Sequence, residues 1–268
     1  MSLPTNLYNL IILLVSSFRL LYLGYGPTTK YPLNLNGIRE DVRTRPTNLG
    51  RLVAQSLTSP ADDYLKDIGT EDRIDVCITN AGGIRASIEG PSITQLDIEK
   101  ALPINHGLVV VKVTAKQFLA AMENSVCVYP STASEMGSGR YLQMIGAEME
   151  FDASKSGVCN ATELDEGSRV SYLKVLGKGV VVENGALVNE DDEFVLATNS
   201  YIASGGDEYS SVADGEIWGV QDSMNNMSCG RTLWVSTAVM LTSKTLLNLQ
   251  ASHALGRIAC ECFDDEYL

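Results

Sequence analysis

Apolar positions recur with two different periods along this chain, and the periods separate predicted helices from predicted strands. Helical spacing runs through 48–58 and again through the segment after Thr114, so amphipathic helices are predicted there. Thr114 and Gln117 also form a capping-box pattern, in which a threonine and a side chain three residues later cap a helix start. The same pattern at Thr94 and Asp97 predicts a second, shorter helix.

Short runs rich in β-branched residues predict the strands of the fold. Buried strands are predicted over 74–79 and 108–113, and a Ser/Gly-rich loop follows at 131–139. Beyond that loop the predicted strands are 141–151, 170–176, 180–182 and 194–198. The predicted loops are 59–73, 80–85, 200–206 and 214–230, and a last helix is predicted around 232–250. Because helices mix with hairpin-like strands, the predicted fold class is α+β, with helices packed on mixed β-sheets.

The charge of the chain restricts its partners. With a formal net charge of −13 and a pI near 4.6, the protein is too acidic to expect nucleic acid or an anionic membrane as a partner. A small anionic ligand is compatible with this net charge, because a few arginines in a cleft outweigh the field of more distant negative charges. The length of 268 residues allows one large domain or two small ones.

Histidine and cysteine usage argues against a metal-dependent active centre in this chain. The sequence has only two histidines, His106 and His253, which cannot form an imidazole-rich dimetal site. Its six cysteines are too few for a disulfide scaffold at this length, and their pairing stays open. Cys260 and Cys262 could bind a metal, but the preferred interpretation is that they belong to a mobile tail. No nucleophile elbow or Walker loop is present, so no catalytic residue is predicted.

An apolar run over 10–23 distinguishes the N-terminus. Its length suits the core of a signal peptide better than a membrane-spanning helix, yet no lysine or arginine precedes it. A weak signal peptide, a buried element and a mis-assigned gene start all stay open as explanations. Asn160 and Asn226 stand in glycosylation sequons, a pattern that also arises by chance.

A glycine-bearing turn after the predicted strand 74–79 is the first candidate for ligand binding. Gly82 and Gly83 would let backbone N–H groups approach a ligand closely. Arg85 can offer two parallel donors to an anion, and Asn80 can donate to or accept from a neutral polar group. A plain tight turn with a solvated arginine is the alternative, and the turn alone does not exclude it.

Two further segments carry the same kind of chemistry. In the loop that holds Gly205 and Gly206, Tyr201 can present its ring face to a planar base, and Asp207 can accept hydrogen bonds from sugar hydroxyls. A half-buried tyrosine beside an Asx turn is the alternative. Arg43, with Arg45, precedes a predicted helix start, where arginines and backbone donors together favour an anion. Solvated arginines are the alternative there.

Several separated motifs make the chain resemble the C-terminal domain of the family that includes 5′-nucleotidases, UDP-sugar hydrolases and apyrases. The motifs are Arg43-Thr-Arg-Pro-Thr-Asn-Leu-Gly50, Thr79-Asn-Ala-Gly-Gly-Ile-Arg85, Ala101-Leu-Pro103, Ser204-Gly-Gly-Asp207 and Gly256-Arg-Ile258. Their shared order and spacing are far more specific than any one of them. The resemblance implies three parts, namely an apolar N-terminal segment (1–33), the family domain (34–258) and an acidic tail (259–268).

The resemblance also implies roles for single residues. Residues at the positions of Arg43, Asn80 and Arg85 bind the nucleotide in the family. Two aromatic rings sandwich the base, and a loop aspartate holds the ribose. By this likeness Tyr201 is one ring and Asp207 is the ribose acceptor.

The family's metals belong to a different domain. The resemblance implies an N-terminal metallophosphatase domain with two divalent metals, and a hinge rotation that brings the substrate to them. That domain would precede residue 1, so no cofactor is expected in this chain. A metallophosphatase domain on another chain is a possible partner.

Three positions depart from the family pattern. Ile104 stands where the second aromatic ring is common, and an aliphatic side chain packs on a base less specifically. Pro46 replaces a common glutamate, and Glu208 replaces a common glycine. If position 208 needs a positive φ, Glu208 implies strain or a changed loop.

Three functions are compatible with these features. The first is the nucleotide-binding domain of a 5′-nucleotidase-like phosphoric ester hydrolase in nucleotide catabolism, as a fragment or half of a split enzyme, and inactive alone. The second is a free-standing, non-catalytic nucleotide-binding protein. The third is a surface domain whose pocket has decayed. In each of the first two the expected ligand is a nucleoside monophosphate or related nucleotide. The family implies secretion or display at the cell surface.

Overall fold

A computed structural model describes residues 33–90, 93–104, 106–129, 137–160 and 169–221. The apolar N-terminal segment, the predicted helix around 232–250, the Gly256 motif and the acidic tail lie outside the described residues. Within the described residues, no helix is long and apolar enough to cross a membrane.

Helices and strands alternate irregularly along the described chain. The helices are α1 (Arg39–Val42), α2 (Asn48–Gln55), α3 (Thr58–Asp67), α4 (Gln95–Ala101), α5 (Ala115–Val126), α6 (Ser200–Ala203) and α7 (Ser210–Ala213). The strands are β1 (Leu33–Leu35), β2 (Val76–Asn80), β3 (Ile88–Gly90), β4 (Leu108–Thr114), β5 (Leu142–Ile145), β6 (Ala147–Phe151), β7 (Val170–Val175), β8 (Gly179–Glu183), β9 (Ala186–Leu187), β10 (Glu193–Asn199) and β11 (Glu216–Gln221). Short 3-10 turns occupy Ala81–Gly83 and Gly206–Glu208.

The strands form three sheets. The largest has five strands in the order β11-β4-β10-β2-β5, while β6 to β9 form a four-stranded meander and β1 pairs with β3. In the large sheet β10 runs parallel to β2 and antiparallel to β4. Mixed sheets packed with helices confirm the predicted α+β class.

Helix α5 is the main packing element of the core. Both predicted capping boxes are present, at Thr94 with Asp97 and at Thr114 with Gln117. Phe118 is fully buried and its ring centroid lies 5.6 Å from that of Phe194 on β10. Burying a side chain of this size stabilises the fold by about 1.5–3 kcal/mol, so α5 anchors the large sheet.

The predicted strand 141–151 is wrong in one respect, because it is two strands in two different sheets. Gly146 separates them, with φ of 84°. A Cβ at this position would lie 2.2 Å from the Asp75 carbonyl oxygen, so only glycine fits. The chain therefore leaves the five-stranded sheet after β5 and enters the meander with β6.

Three predicted loops contain regular structure. Helix α3 begins at Thr58 and fills the first part of 59–73, because Ala61 and Leu65 form a narrow buried stripe on an otherwise polar helix. Helix α6 lies within 200–206. The first part of 214–230 is the edge strand β11, which pairs with β4. In each segment long-range packing overrides weak local preference.

Candidate functional site

The ends of two parallel strands define the candidate site. Strand β2 ends at Asn80 and β10 ends at Asn199, and parallel neighbours bring their carboxyl ends to the same edge of a sheet. The Asn199 Nδ2 group donates to Asn80 Oδ1 at 3.2 Å. The loops that follow, 80–85 and 200–207, are therefore neighbours.

The antiparallel strands bring two more segments to this edge. Leu108 at the start of β4 pairs with Asn199, and Leu142 at the start of β5 pairs with Asn80. The residues just before each strand thus lie beside the two loops. We call this region the site edge.

Backbone hydrogen bonds fix the loop 80–85. The Gly82 N–H donates to the Gly139 carbonyl at 2.8 Å, and the Arg85 N–H donates to the Ala101 carbonyl at 2.8 Å. A Cβ on Gly82 would lie 3.1 Å from Asn80 Nδ2, whereas Gly83 has no such close neighbour. The Arg85 side chain is exposed and free to contact a ligand.

Arg43 lies at the end of α1 with its guanidinium partly buried. Its Nη1 donates to the Gly137 carbonyl at 3.4 Å, while no described residue accepts a hydrogen bond from its buried Nε. Burial lowers the pKa of Arg43, the charges of Arg39 and Arg85 lower it further, and Asp207 raises it. An arginine stays charged nonetheless. Its surroundings thus combine excess positive charge with an unused donor.

Gln143, which the sequence did not suggest, holds the backbone next to Arg43. Its Nε2 donates to the carbonyls of Val42 and Arg45, both at 2.7 Å, and its Oε1 accepts from Thr47 N at 2.9 Å. A Cβ on Gly50 would lie 2.0 Å from that Oε1, so glycine makes room for the amide. Burying an amide without partners costs free energy, and here it is fully satisfied.

Asp207 is held through both carboxylate oxygens. Asn80 Nδ2 donates to Oδ2 at 2.9 Å, and the Tyr201 hydroxyl donates to Oδ1 at 3.0 Å. The Asp207 N–H also donates to the Tyr201 hydroxyl at 3.2 Å. Burial, and next the bond to Asp207, raises the pKa of Tyr201. Each oxygen keeps a lone pair for a further donor.

The loop around Asp207 has an unusual backbone. Gly205 (φ of 86°), Asp207 (52°) and Glu208 (64°) all have left-handed dihedrals. The left-handed region costs a non-glycine residue roughly 1–2 kcal/mol. The suspected positive φ at Glu208 is therefore confirmed, and position 208 accepts the strain without a glycine.

Asn124 and Arg140 support this loop, and neither was predicted. Asn124 Nδ2 donates to the Asp207 carbonyl at 2.9 Å. Arg140 Nη1 donates to Glu208 Oε2 at 2.9 Å. Both supports join residues far apart in sequence, so no local pattern indicates them.

Tyr201 stacks on a histidine at the site edge. Its ring centroid lies 5.4 Å from that of His106, with 27° between the ring planes. A Cβ on Gly206 would lie 2.6 Å from the Tyr201 ring, so glycine permits this ring position. Ile104, the residue at the expected second ring position, is 41% exposed. Burial lowers the pKa of His106, which favours its neutral form.

One short segment contacts all three candidate loops; we call residues 137–143 the support segment. Its carbonyls accept from Arg43 Nη1 and from the Gly82 N–H. Its Arg140 binds Glu208, and its Gln143 holds the backbone beside Arg43. A disulfide joins Cys127 to Cys159 nearby, since Arg140 Nη1 also lies 3.2 Å from Cys127 Sγ.

The predicted site residues thus fall into three groups. Asn80 and Tyr201 both hydrogen-bond to Asp207, while Arg85 is close enough to Arg43 to lower the pKa of Arg43. Ile104 is aliphatic and does not take the place of the second aromatic ring. Among the described residues, no cluster of three or more His, Cys, Asp or Glu side chains could hold a metal ion.

Known proteins share this domain. The sequence profile of a family described as "5′-nucleotidase, C-terminal domain" matches residues 26–214. The chain is 32% identical over 178 residues to the trifunctional nucleotide phosphoesterase protein YfkN of Bacillus subtilis, covering 66% of this chain and 10% of that protein. It is 27% identical over 188 residues to the snake venom 5′-nucleotidase of Crotalus adamanteus, covering 69% of this chain and 29% of that protein.

Solved structures agree with the sequence match. The 5′-nucleotidase precursor of Thermus thermophilus superposes with a TM-score of 0.62 at 26% identity, over 87% of this chain and 39% of that one. The chain therefore spans between 10% and 39% of the length of these relatives. The shared part is the C-terminal domain, as the motifs predicted, whereas the boundaries at 34 and 258 stay predictions.

Proposed function

Because the chain belongs to the 5′-nucleotidase family through its C-terminal domain, we propose that it forms the substrate-binding part of a phosphoric ester hydrolase. Its ligand is a nucleoside monophosphate or a related nucleotide. The phosphate, the ribose and the base each find a suitable partner at the site edge.

The unused Nε donor of Arg43 is the observation that carries this proposal. A buried donor without a partner costs free energy, and a ligand oxygen would remove that cost. The mutual repulsion of Arg43 and Arg85 would also fall when an anion binds between them. Two guanidinium groups suit a phosphate because each can donate two parallel hydrogen bonds.

Asp207 and Tyr201 fit the sugar and the base. The Asp207 carboxylate, already aligned by Asn80, keeps lone pairs that can accept from two ribose hydroxyls. Tyr201 is 37% exposed and offers a ring face. His106 covers that face, with 5.4 Å between the two ring centroids. A base held between two rings would keep them about 7 Å apart, twice a van der Waals contact, so His106 must move away before a base can enter.

In this proposal the described residues bind the nucleotide, and cleavage of the phosphoester belongs to another domain. His106 packs on Tyr201, and the described residues offer no metal-ligand cluster. The two divalent metals that the family resemblance implies would be held by a metallophosphatase domain, in a longer polypeptide or on another chain.

The disulfide supports a location outside the cytosol. Disulfides persist in oxidising compartments, and Cys127–Cys159 is one within the described residues. A snake venom 5′-nucleotidase is among the relatives. We therefore propose that the protein is secreted or displayed at the cell surface.

Calorimetric titration of the purified chain with AMP tests the proposal. We expect saturable binding in wild type and an affinity at least about tenfold weaker in Arg43→Ala and in Arg85→Ala, because each loses a charge-assisted hydrogen bond. Arg51→Ala is the matched control, since Arg51 is an exposed arginine on α2. Equal affinity in all four proteins, or no heat of binding at millimolar AMP, would refute nucleotide binding at this site. Robust metal-dependent AMP hydrolysis by the chain alone would refute the division of labour.

A further inference from the structure

We propose that Arg140 is a positioning residue that keeps Asp207 and Glu208 in their left-handed backbone conformation. Its effect on ligand affinity rests on the proposed nucleotide binding, whereas its effect on the loop does not. Arg140 lies in the support segment, 67 positions from Asp207, and nothing in the local sequence links the two.

The loop needs an external restraint. Asp207 and Glu208 are consecutive non-glycine residues with φ of 52° and 64°. Strained residues persist only where the surrounding structure determines their conformation from several sides. A glycine at 208 would adopt the same φ freely, so the glutamate makes a restraint necessary.

Arg140 provides a direct restraint on Glu208. One nitrogen, Nη1, donates to Glu208 Oε2 at 2.9 Å and to Asn124 Oδ1 at 3.0 Å. An ordinary surface ion pair contributes little, because both groups are flexible and solvated. Here the Arg140 side chain is 17% exposed and Glu208 is 55% exposed, so only the glutamate end is open to water.

Arg140 also acts on Asp207 through Asn124. The Asn124 amide is nearly buried, with 2% exposure. Its Oδ1 accepts from Arg140 Nη1 and from the Asn160 N–H at 3.1 Å, which leaves Nδ2 to donate to the Asp207 carbonyl. Arg140 thereby orients the amide that holds the Asp207 backbone.

The two restraints have one consequence for the site. The left-handed backbone at 207 places the Asp207 carboxylate between Asn80 and Tyr201. If Glu208 relaxes to a negative φ, the chain direction at Asp207 changes and the carboxylate leaves both partners. Arg140 thus acts on the ligand-binding aspartate without touching the ligand.

Three variants separate this role from a purely structural one. Arg140→Ala removes the restraint, Glu208→Gly removes the strain at position 208, and the double variant combines them. Lys112→Ala is the control, because it breaks another ion pair, to Glu193 at 2.5 Å, between β4 and β10. Each protein is measured by amide hydrogen exchange of peptides covering 201–209 without ligand, and by AMP affinity.

The expected pattern is a loss followed by a rescue. Arg140→Ala should speed exchange across 201–209 and weaken AMP binding, each by about tenfold, whereas Glu208→Gly and Lys112→Ala leave both near wild type. The double variant should recover the part of both losses that comes from position 208, because glycine adopts the φ of 64° without strain.

Failure is informative in either direction. If Arg140→Ala leaves exchange unchanged, the positioning role is refuted. If the double variant is as defective as Arg140→Ala, the restraint on Glu208 is refuted. If wild type binds no AMP, the proposed nucleotide function fails instead, and hydrogen exchange still decides the role of Arg140.

Discussion

Asn199 donates a hydrogen bond to Asn80 at 3.2 Å, at the point where two parallel strands end side by side. This contact joins two loops that are distant in the chain, since the paired side chains are separated by 119 positions. Both asparagines are buried, so the bond satisfies polar groups that would otherwise be costly. The site edge is built around it.

Asp207→Ala should abolish stabilisation by a nucleoside monophosphate. The variant removes the only carboxylate that both Asn80 and Tyr201 contact among the described residues. In wild type, ligand at 100 times Kd should raise the free energy of unfolding by about 2.7 kcal/mol. Thermal unfolding with and without AMP measures the difference. Asp67→Ala, at the exposed end of α3, should keep the full shift.

Gly50→Ala should destabilise the protein by about 1–3 kcal/mol, the usual cost of overpacking a filled site. The added methyl group would lie 2.0 Å from Gln143 Oε1 and displace the amide that holds the backbone beside Arg43. Urea unfolding measures the change. Gly83→Ala is a suitable comparison, because the nearest atom to its Cβ would be 4.0 Å away. Equal stability of the two variants would show that the Gln143 contact is dispensable.

Replacing Cys127 and Cys159 with serine should cost about 3–4 kcal/mol of stability, from loss of a cross-link across 32 positions. Guanidinium unfolding of wild type, with and without reductant, should show a similar loss.

Cys77 should stay unmodified by iodoacetamide in the native protein, because it is buried and burial raises the pKa of its thiol to about 12. Rapid native-state labelling of Cys77, detected by peptide mass spectrometry, would contradict its burial.

Acidification should weaken the fold through His106. Burial lowers its pKa in the folded state, so between that value and about pH 6.5 the unfolded chain binds more protons. The free energy of unfolding should therefore fall as the pH drops below about 6.5 and level off below the folded pKa. His106→Phe should keep the stack on Tyr201 and lose this part of the dependence. The same slope in both proteins between about pH 7.5 and about pH 5.5 would exclude His106 as the cause.

The site residues that lie within sequence motifs can be predicted from the sequence alone. Asn80, Tyr201 and Asp207 are predicted as one site, and both Asn80 and Tyr201 donate hydrogen bonds to Asp207, because motifs at strand ends indicate both the chemistry and the place. Their roles toward a ligand stay predictions. The α+β class followed from local periodicity in the same way.

The supporting residues could not be predicted. Arg140 and Asn124 act across 68 and 83 positions respectively, and an arginine or asparagine on its own has no distinctive pattern. The stack of His106 on Tyr201 depends on the pairing of β4 with β10, which local periodicity does not give. Gly146 looked like a residue within one strand, because its conflict with Asp75 exists only in three dimensions.

The support segment links several parts of the candidate site to one another. Arg43, the loop 80–85 and Glu208 are all attached to residues 137–143, and β5, which begins within that segment, is an edge strand of the large sheet. An edge strand has one neighbour, so its local opening needs few hydrogen bonds to break. When it opens, Arg43, the loop 80–85 and Glu208 lose these attachments together. A nucleotide that bridges the loops would therefore hold that edge closed against local opening.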